Sequence, residues 1–133
     1  MNAYGAMLVR NYQENSVNTA SPVRLVVLLY QGAIRALRLA GCYFQDGDSV
    51  KAHSEVLQAE KIVLELIGAL NFKEGGEIAR NLFQLYQFIL KQCALVEAES
   101  ARELIPSLVR ILEGLKEAWQ EIEKNGPKIT GSV

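Results

Sequence analysis

The sequence predicts an all-α protein, an antiparallel up-down bundle of four helices behind a short mobile N-terminal segment. Apolar residues recur at alternating steps of three and four in four successive stretches, the signature of amphipathic helices. Short polar breaks separate the stretches, and no stretch shows the two-residue alternation of a strand. Four helices of about twenty residues, each ~30 Å long and joined by brief connections, pack most simply as antiparallel neighbours. The organisation expected is a cap over residues 1–20, a bundle over 21–124 and a loose tail over 125–133.

The first helix is the most apolar. Ser21 suits its N-cap and Pro22 its first position, where a missing N–H costs nothing. One stripe runs Val23, Val26, Tyr30, Ala33, Leu37, Ala40 and Phe44. A second runs Leu25, Leu29, Gly32, Ala36, Leu39 and Tyr43. Arg24, Gln31, Arg35 and Arg38 are confined to a narrow strip between them. A surface helix needs an apolar face little wider than ~100°, so this helix has apolar surface to spare for neighbours or a bound partner.

After Gln45-Asp46-Gly47-Asp48, Asp48 or Ser49 can cap a second helix that runs to about Leu70. Its apolar face holds Val56, Ala59, Ile62, Val63, Leu66 and Leu70, with Glu65 largely elsewhere. Asn71 to Gly76 forms the next break. The third helix carries Ala79, Leu82, Tyr86, Ile89, Cys93 and Val96, with a secondary apolar set of Leu85, Phe88 and Leu95. The fourth carries Ile105, Leu108, Leu112, Leu115, Trp119 and Ile122. Ser100 and Glu103 fit a capping box, yet Pro106 would then fall in the second turn, so this helix is either kinked at Pro106 or starts there. Asn125-Gly126-Pro127 ends it. Trp119, Leu82 and Leu112 are expected in the core.

Composition narrows the function. The chain has 133 residues, 50% hydrophobic and 22% charged, with a net charge of −1. That is globular, and it lacks the continuous basic stripe of a nucleic-acid binder. Arg24, Arg35 and Arg38 interrupt the longest apolar run, which argues against membrane insertion. No secretory signal is evident. Cys42 and Cys93, both in apolar patterns, read as reduced buried thiols of a cytoplasmic protein.

The chemistry-bearing residues are few. A carboxylate-bridged metal site needs Glu-x-x-His pairs, and the single histidine, His53, has Val50 three residues before it. Cys42, His53 and Cys93 have no metal-ligand spacing, and Gly75-Gly76 lacks the rest of a phosphate loop. No catalytic residue, cofactor or metal is expected. Two other readings are a histidine phosphotransfer domain using His53 and a generic helical adaptor. The phosphotransfer pattern wants a lysine and a glycine soon after the histidine, and Ser54-Glu55-Val56-Leu57 supplies neither.

Several strings in order carry a resemblance: Tyr12-Gln13, Val17, Thr19-Ala20-Ser21-Pro22, Leu28 to Ile34, Gly47-Asp48, Glu65-Leu66, Gly75 to Leu82, Leu85-Tyr86 and Ala118-Trp119. Together they resemble the flagellin-specific export chaperones of the FliS family. One departure is the family's aspartate after the slot at Gln31, and the others gather at the third-to-fourth helix junction. The family's late Ala-Asn pair falls there on Val96 and Glu97, and its aspartate on Ala101. The resemblance implies a non-enzymatic cytoplasmic chaperone that holds the C-terminal segment of flagellin in a surface groove. It would prevent premature polymerisation and present flagellin to the cytoplasmic domain of the membrane export gate. Tyr30, Leu66, Phe88 and Leu95, large and near apolar–polar boundaries, are the candidate flagellin anchors. The resemblance further implies that the N-terminal segment covers part of the client surface and docks to the gate, through Tyr4, Leu8, Val9 and Tyr12.

Overall fold

The structure is a computed structural model and describes residues 21–125. Those residues form four helices: α1 (Pro22–Gln45), α2 (Ser49–Gly68), α3 (Phe72–Leu95) and α4 (Ala98–Asn125). They pack as an all-α bundle, with no strand among the described residues. α1 is the central element, packed on both α2 and α4, while α3 packs chiefly on α2. Arg24 of α1 pairs with Glu123 of α4 and Arg38 with Glu113, so these two helices run antiparallel.

Each boundary follows from local chemistry. Ser21 Oγ accepts the N–H of Arg24 at 3.0 Å, and Pro22 opens α1. At the other end Gly47, with φ 79, lets the Asp48 N–H reach the Tyr43 carbonyl at 2.8 Å and its own N–H reach Phe44. That pair of bonds is a Schellman stop, and the positive φ favours glycine. Asp48 caps α2 through its side chain at the Lys51 N–H. α3 begins earlier than the expected break allows. Asn71 Oδ1 caps one helical turn at the Glu74 N–H, and the chain then bends at Gly76, with φ 52 and ψ −123. Phe72 from that turn meets Phe83 edge-on across the bend, at 5.7 Å between ring centres.

α4 resolves the question at Pro106 in favour of a helix that runs through it. Ser100 is not its N-cap. Its Oγ instead accepts the N–H of Glu97 at 3.0 Å, so Ser100 reaches back from the third helical position. This is the reciprocal half of a capping box.

The apolar excess of α1 is taken up largely by the bundle. Nine of its 24 residues are buried, seven from the two predicted stripes together with Val27 and Ile34 from neither, because α1 has a neighbour on each side. By length and composition α1 could cross a bilayer, despite its arginines. In the bundle, however, those buried residues form core with α2 and α4. Trp119 and Leu112 are core as expected, whereas Leu82 is only half-buried at its edge. Each large aliphatic side chain fully removed from water contributes about 1.5–3 kcal/mol, so this core carries the fold.

Candidate binding surface

The four candidate anchors divide cleanly. Tyr30 is 0% exposed and Leu66 2%, so both are core residues and form no surface for a client. Phe88 is 47% exposed and Leu95 59%, seven residues apart on the outer side of α3. Tyr30 sat near an apolar–polar boundary by periodicity, but the fold supplies its hydroxyl with buried partners. The Tyr30 and Tyr86 hydroxyls share a hydrogen bond, and the Trp119 indole N–H donates to the Tyr30 oxygen at 3.1 Å. These contacts tie α1, α3 and α4 together at one point. A buried hydroxyl without such partners would cost several kcal/mol relative to water, and here each has one. Burial pushes both phenols above the ordinary tyrosine range, so they stay neutral. Leu66 is buried because it lies in line with Val56, Ala59 and Val63, on the inward side of α2.

Further apolar residues of α2 and α3 share the outward exposure of Phe88 and Leu95, Phe72 among them. Val50, Leu57 and Leu64 are exposed on α2 at intervals of seven, and Ile78 is exposed on α3 just after the bend. The signal for the α2 set was in the sequence as a seven-residue spacing opposite the core stripe, where lysines and glutamates masked it. Glu65 departs from expectation in the other direction. It is buried, both carboxylate oxygens lack a hydrogen-bond partner among the described residues, and burial raises its pKa. Tyr4, Leu8, Val9 and Tyr12 lie outside the described residues.

The polar chemistry is modest. His53 Nδ1 is 2.9 Å from the Ser49 carbonyl oxygen, its Nε2 faces Glu97 at 3.9 Å, and its ring meets Phe44 edge-on. Both nitrogens thus have local structural neighbours. The two thiols do not share one environment, as the sequence had suggested. Cys42 is exposed, whereas Cys93 is buried and its thiol is pushed up to about 12, by burial first and by the nearby Glu60 charge second. A buried Cys93 thiol, a histidine bonded within its own helix turn and an outward apolar array make this a helical bundle with uncovered apolar surface.

The comparisons narrow that class. A family model described as Flagellar protein FliS matches residues 5–126. The Campylobacter jejuni flagellar secretion chaperone FliS is 30% identical over 114 residues, covering 86% of this chain and 89% of the relative. The Salmonella typhimurium protein of the same name is 31% identical over 110 residues, 82% of each chain. The Vibrio cholerae one is 27% identical over 119 residues, covering 90% and 88%. The chain belongs to the FliS family of flagellar secretion chaperones.

Proposed function

We propose that this protein is a non-enzymatic export chaperone of the bacterial cytoplasm. It holds the C-terminal segment of flagellin, keeps it from polymerising early and presents it to the cytoplasmic domain of the flagellar export gate. The observation that carries this reading is the set of large apolar side chains left facing outward on α2 and α3, in a chain of this family. Phe88 and Leu95 are the anchors retained from the sequence, and Leu57, Leu64 and Ile78 join them. The energetics suit such a task. Ordering a disordered segment on binding costs ~2–5 kcal/mol or more, while each well-buried aliphatic or aromatic anchor returns roughly 1.5–3 kcal/mol. Several anchors therefore give firm but reversible holding, with no reacting group required. The family match over residues 5–126 favours this reading over phosphotransfer.

The N-terminal residues 1–20 complete the proposal as a removable cover of the client surface, with Tyr4, Leu8, Val9 and Tyr12 also docking to the gate. Ordering about a dozen residues at ~1 kcal/mol or more each offsets most or all of what burying four apolar side chains returns, so the cover is held weakly. The test is calorimetric titration of the full chain with a peptide of flagellin's C-terminal segment. Binding heat and co-elution are expected, and their joint absence overturns the reading. Deleting Met1 to Asn18 should tighten that binding; weaker binding would make the segment part of the client site.

A further inference from the structure

The seam between α1 and α4 has a different character from the outer faces of α2 and α3. An open groove of about 820 Å³ lies there, with Gly41, Cys42 and Phe44 of α1 on one wall and Ile105 and Pro106 of α4 on the other. Arg38, Arg102 and Arg110 line it as well. Past Arg38 and Cys42, which line both, a second recess of about 400 Å³ carries on to Arg35 and Lys116. Four of the seven arginines in the chain thus stand along one seam. Together the two recesses are lined by five cations against only Glu99 and Glu113, in a chain whose net charge is −1. Glu113 is already engaged by Arg38 and Lys116, each at 3.3 Å. Arg35, Arg102 and Arg110 are exposed and have no ion-pair partner among the described residues.

The floor and the charge type point to one kind of occupant. Ile105 is buried beneath the groove, and the absent side chain of Gly41 leaves the way to it open. Pro106 has no N–H to give the Arg102 carbonyl, which leaves that oxygen available as an acceptor beside the groove. Arginine pairs with carboxylates through two parallel bonds, which lysine cannot do. By contrast the cations of α2 and α3 are Lys51, Lys61, Lys73 and Lys91 with the single Arg80.

We propose that the α1–α4 groove docks an acidic amphipathic helix of a second protein partner, distinct from the exported client. Its carboxylates meet Arg35, Arg102 and Arg110, and an aliphatic side chain seats over Ile105 and Pro106. The chain's own ends do not fit this role. Residues 1–20 carry one arginine and one glutamate, and residues 126–133 one lysine. A nucleic-acid backbone needs an uninterrupted basic track, and here Glu99 and Glu113 break it. No residue of α2 or α3 lines the groove, so it can be filled while the outer faces of those helices are occupied.

Cys42 makes the groove directly testable in the full chain, because it is exposed on the lining while Cys93 is buried. A phage-displayed library of helical peptides, with acidic, basic and apolar residues randomised on every face, is selected on the protein. Selected peptides should be net acidic and should slow Cys42 alkylation by about fivefold or more at saturation. Their affinity should fall about tenfold or more on R102E/R110E and decline with added salt, as for charge-steered docking. The variant should unfold at the wild-type temperature, which separates lost docking from lost fold. The proposal is overturned if the peptides show no acidic bias, leave Cys42 unprotected or bind the charge-reversed variant equally. It is also overturned if phosphatidylglycerol vesicles or duplex DNA protect Cys42 as well as the peptides do, or if concentrating the protein alone protects it.

Discussion

The α1–α4 half and the α2–α3 half of this bundle place their apolar side chains in opposite ways. α1 is the most apolar helix, yet Leu39 is its one large exposed hydrophobic residue, and α4 exposes none. α2 and α3 are more mixed in sequence but expose Val50, Leu57, Leu64, Phe72, Ile78, Phe88 and Leu95. The first half has its apolar surface inside and arginines outside; the second leaves apolar side chains facing out. Total hydrophobicity therefore does not tell which side of a bundle keeps apolar surface uncovered. What tells it is apolar residues in register opposite the core stripe, where burial offers no reason for them.

The contrast is sharpest between two aromatic residues two positions apart. Replacing Tyr86, or its partners Tyr30 or Trp119, with alanine should lower stability by about 3–5 kcal/mol, read as a large drop in the thermal midpoint. Phe88→Ala should shift stability by no more than ~0.5 kcal/mol, as for a surface site. Equal destabilisation by both would erase the distinction between the inward and outward sides of α3. In the converse measurement, Phe88→Ala and Leu95→Ala should each weaken binding of the flagellin segment by ~1–3 kcal/mol in calorimetry. R102E, on the other half, should leave that affinity unchanged.

Cys93 sharpens the comparison through pH. Its thiol is raised from 9.0 to about 12 in the folded state, so the native protein holds that proton more tightly than the unfolded chain does. The stability this provides is complete below pH 9.0 and is lost as pH rises toward 12. Between pH 9 and 10, denaturant titrations should show stability falling by up to ~1.4 kcal/mol per pH unit. Cys93→Ala should flatten that slope. A further effect is expected at the bend of α3. Gly76 has φ 52, so Gly76→Ala should cost about 1–2 kcal/mol through backbone strain alone, visible as a modest fall in the midpoint.

Much of the fold was legible because helices declare themselves locally. Ser21-Pro22, Asp48 and the three-four periodicities placed the helices, since capping and amphipathicity act over a few residues. The site was legible only in part. The excess apolar surface of α1 suggested an outward groove, and the structure accounts for much of it by the central position of that helix. Tyr30 and Leu66 looked like boundary residues because their inward neighbours come from far along the chain. Tyr30 finds Tyr86 and Trp119, separations of 56 and 89 residues that no local period encodes. Phe88 and Leu95 stood out because they lay beyond a core stripe that was already complete. The early start of α3 was hidden by its two glycines, which read as a break although Asn71 caps a helical turn ahead of them. Pro106 similarly read as a kink or a boundary, yet Ser100 and Glu97 fix the start of α4 two turns earlier.

The indole of Trp119 gives the protein an optical gauge. It is the sole tryptophan in the sequence, it is buried, and its N–H rests on Tyr30, which in turn touches Tyr86. Light absorbed by those tyrosines has an adjacent acceptor in the indole only while three helices hold them together. Emission excited through tyrosine thus reports the joining of α1, α3 and α4, and a client seated on the outer faces of α2 and α3 leaves the reporter in place. A titration followed this way separates a chaperone that fills from one that comes apart, without any added label.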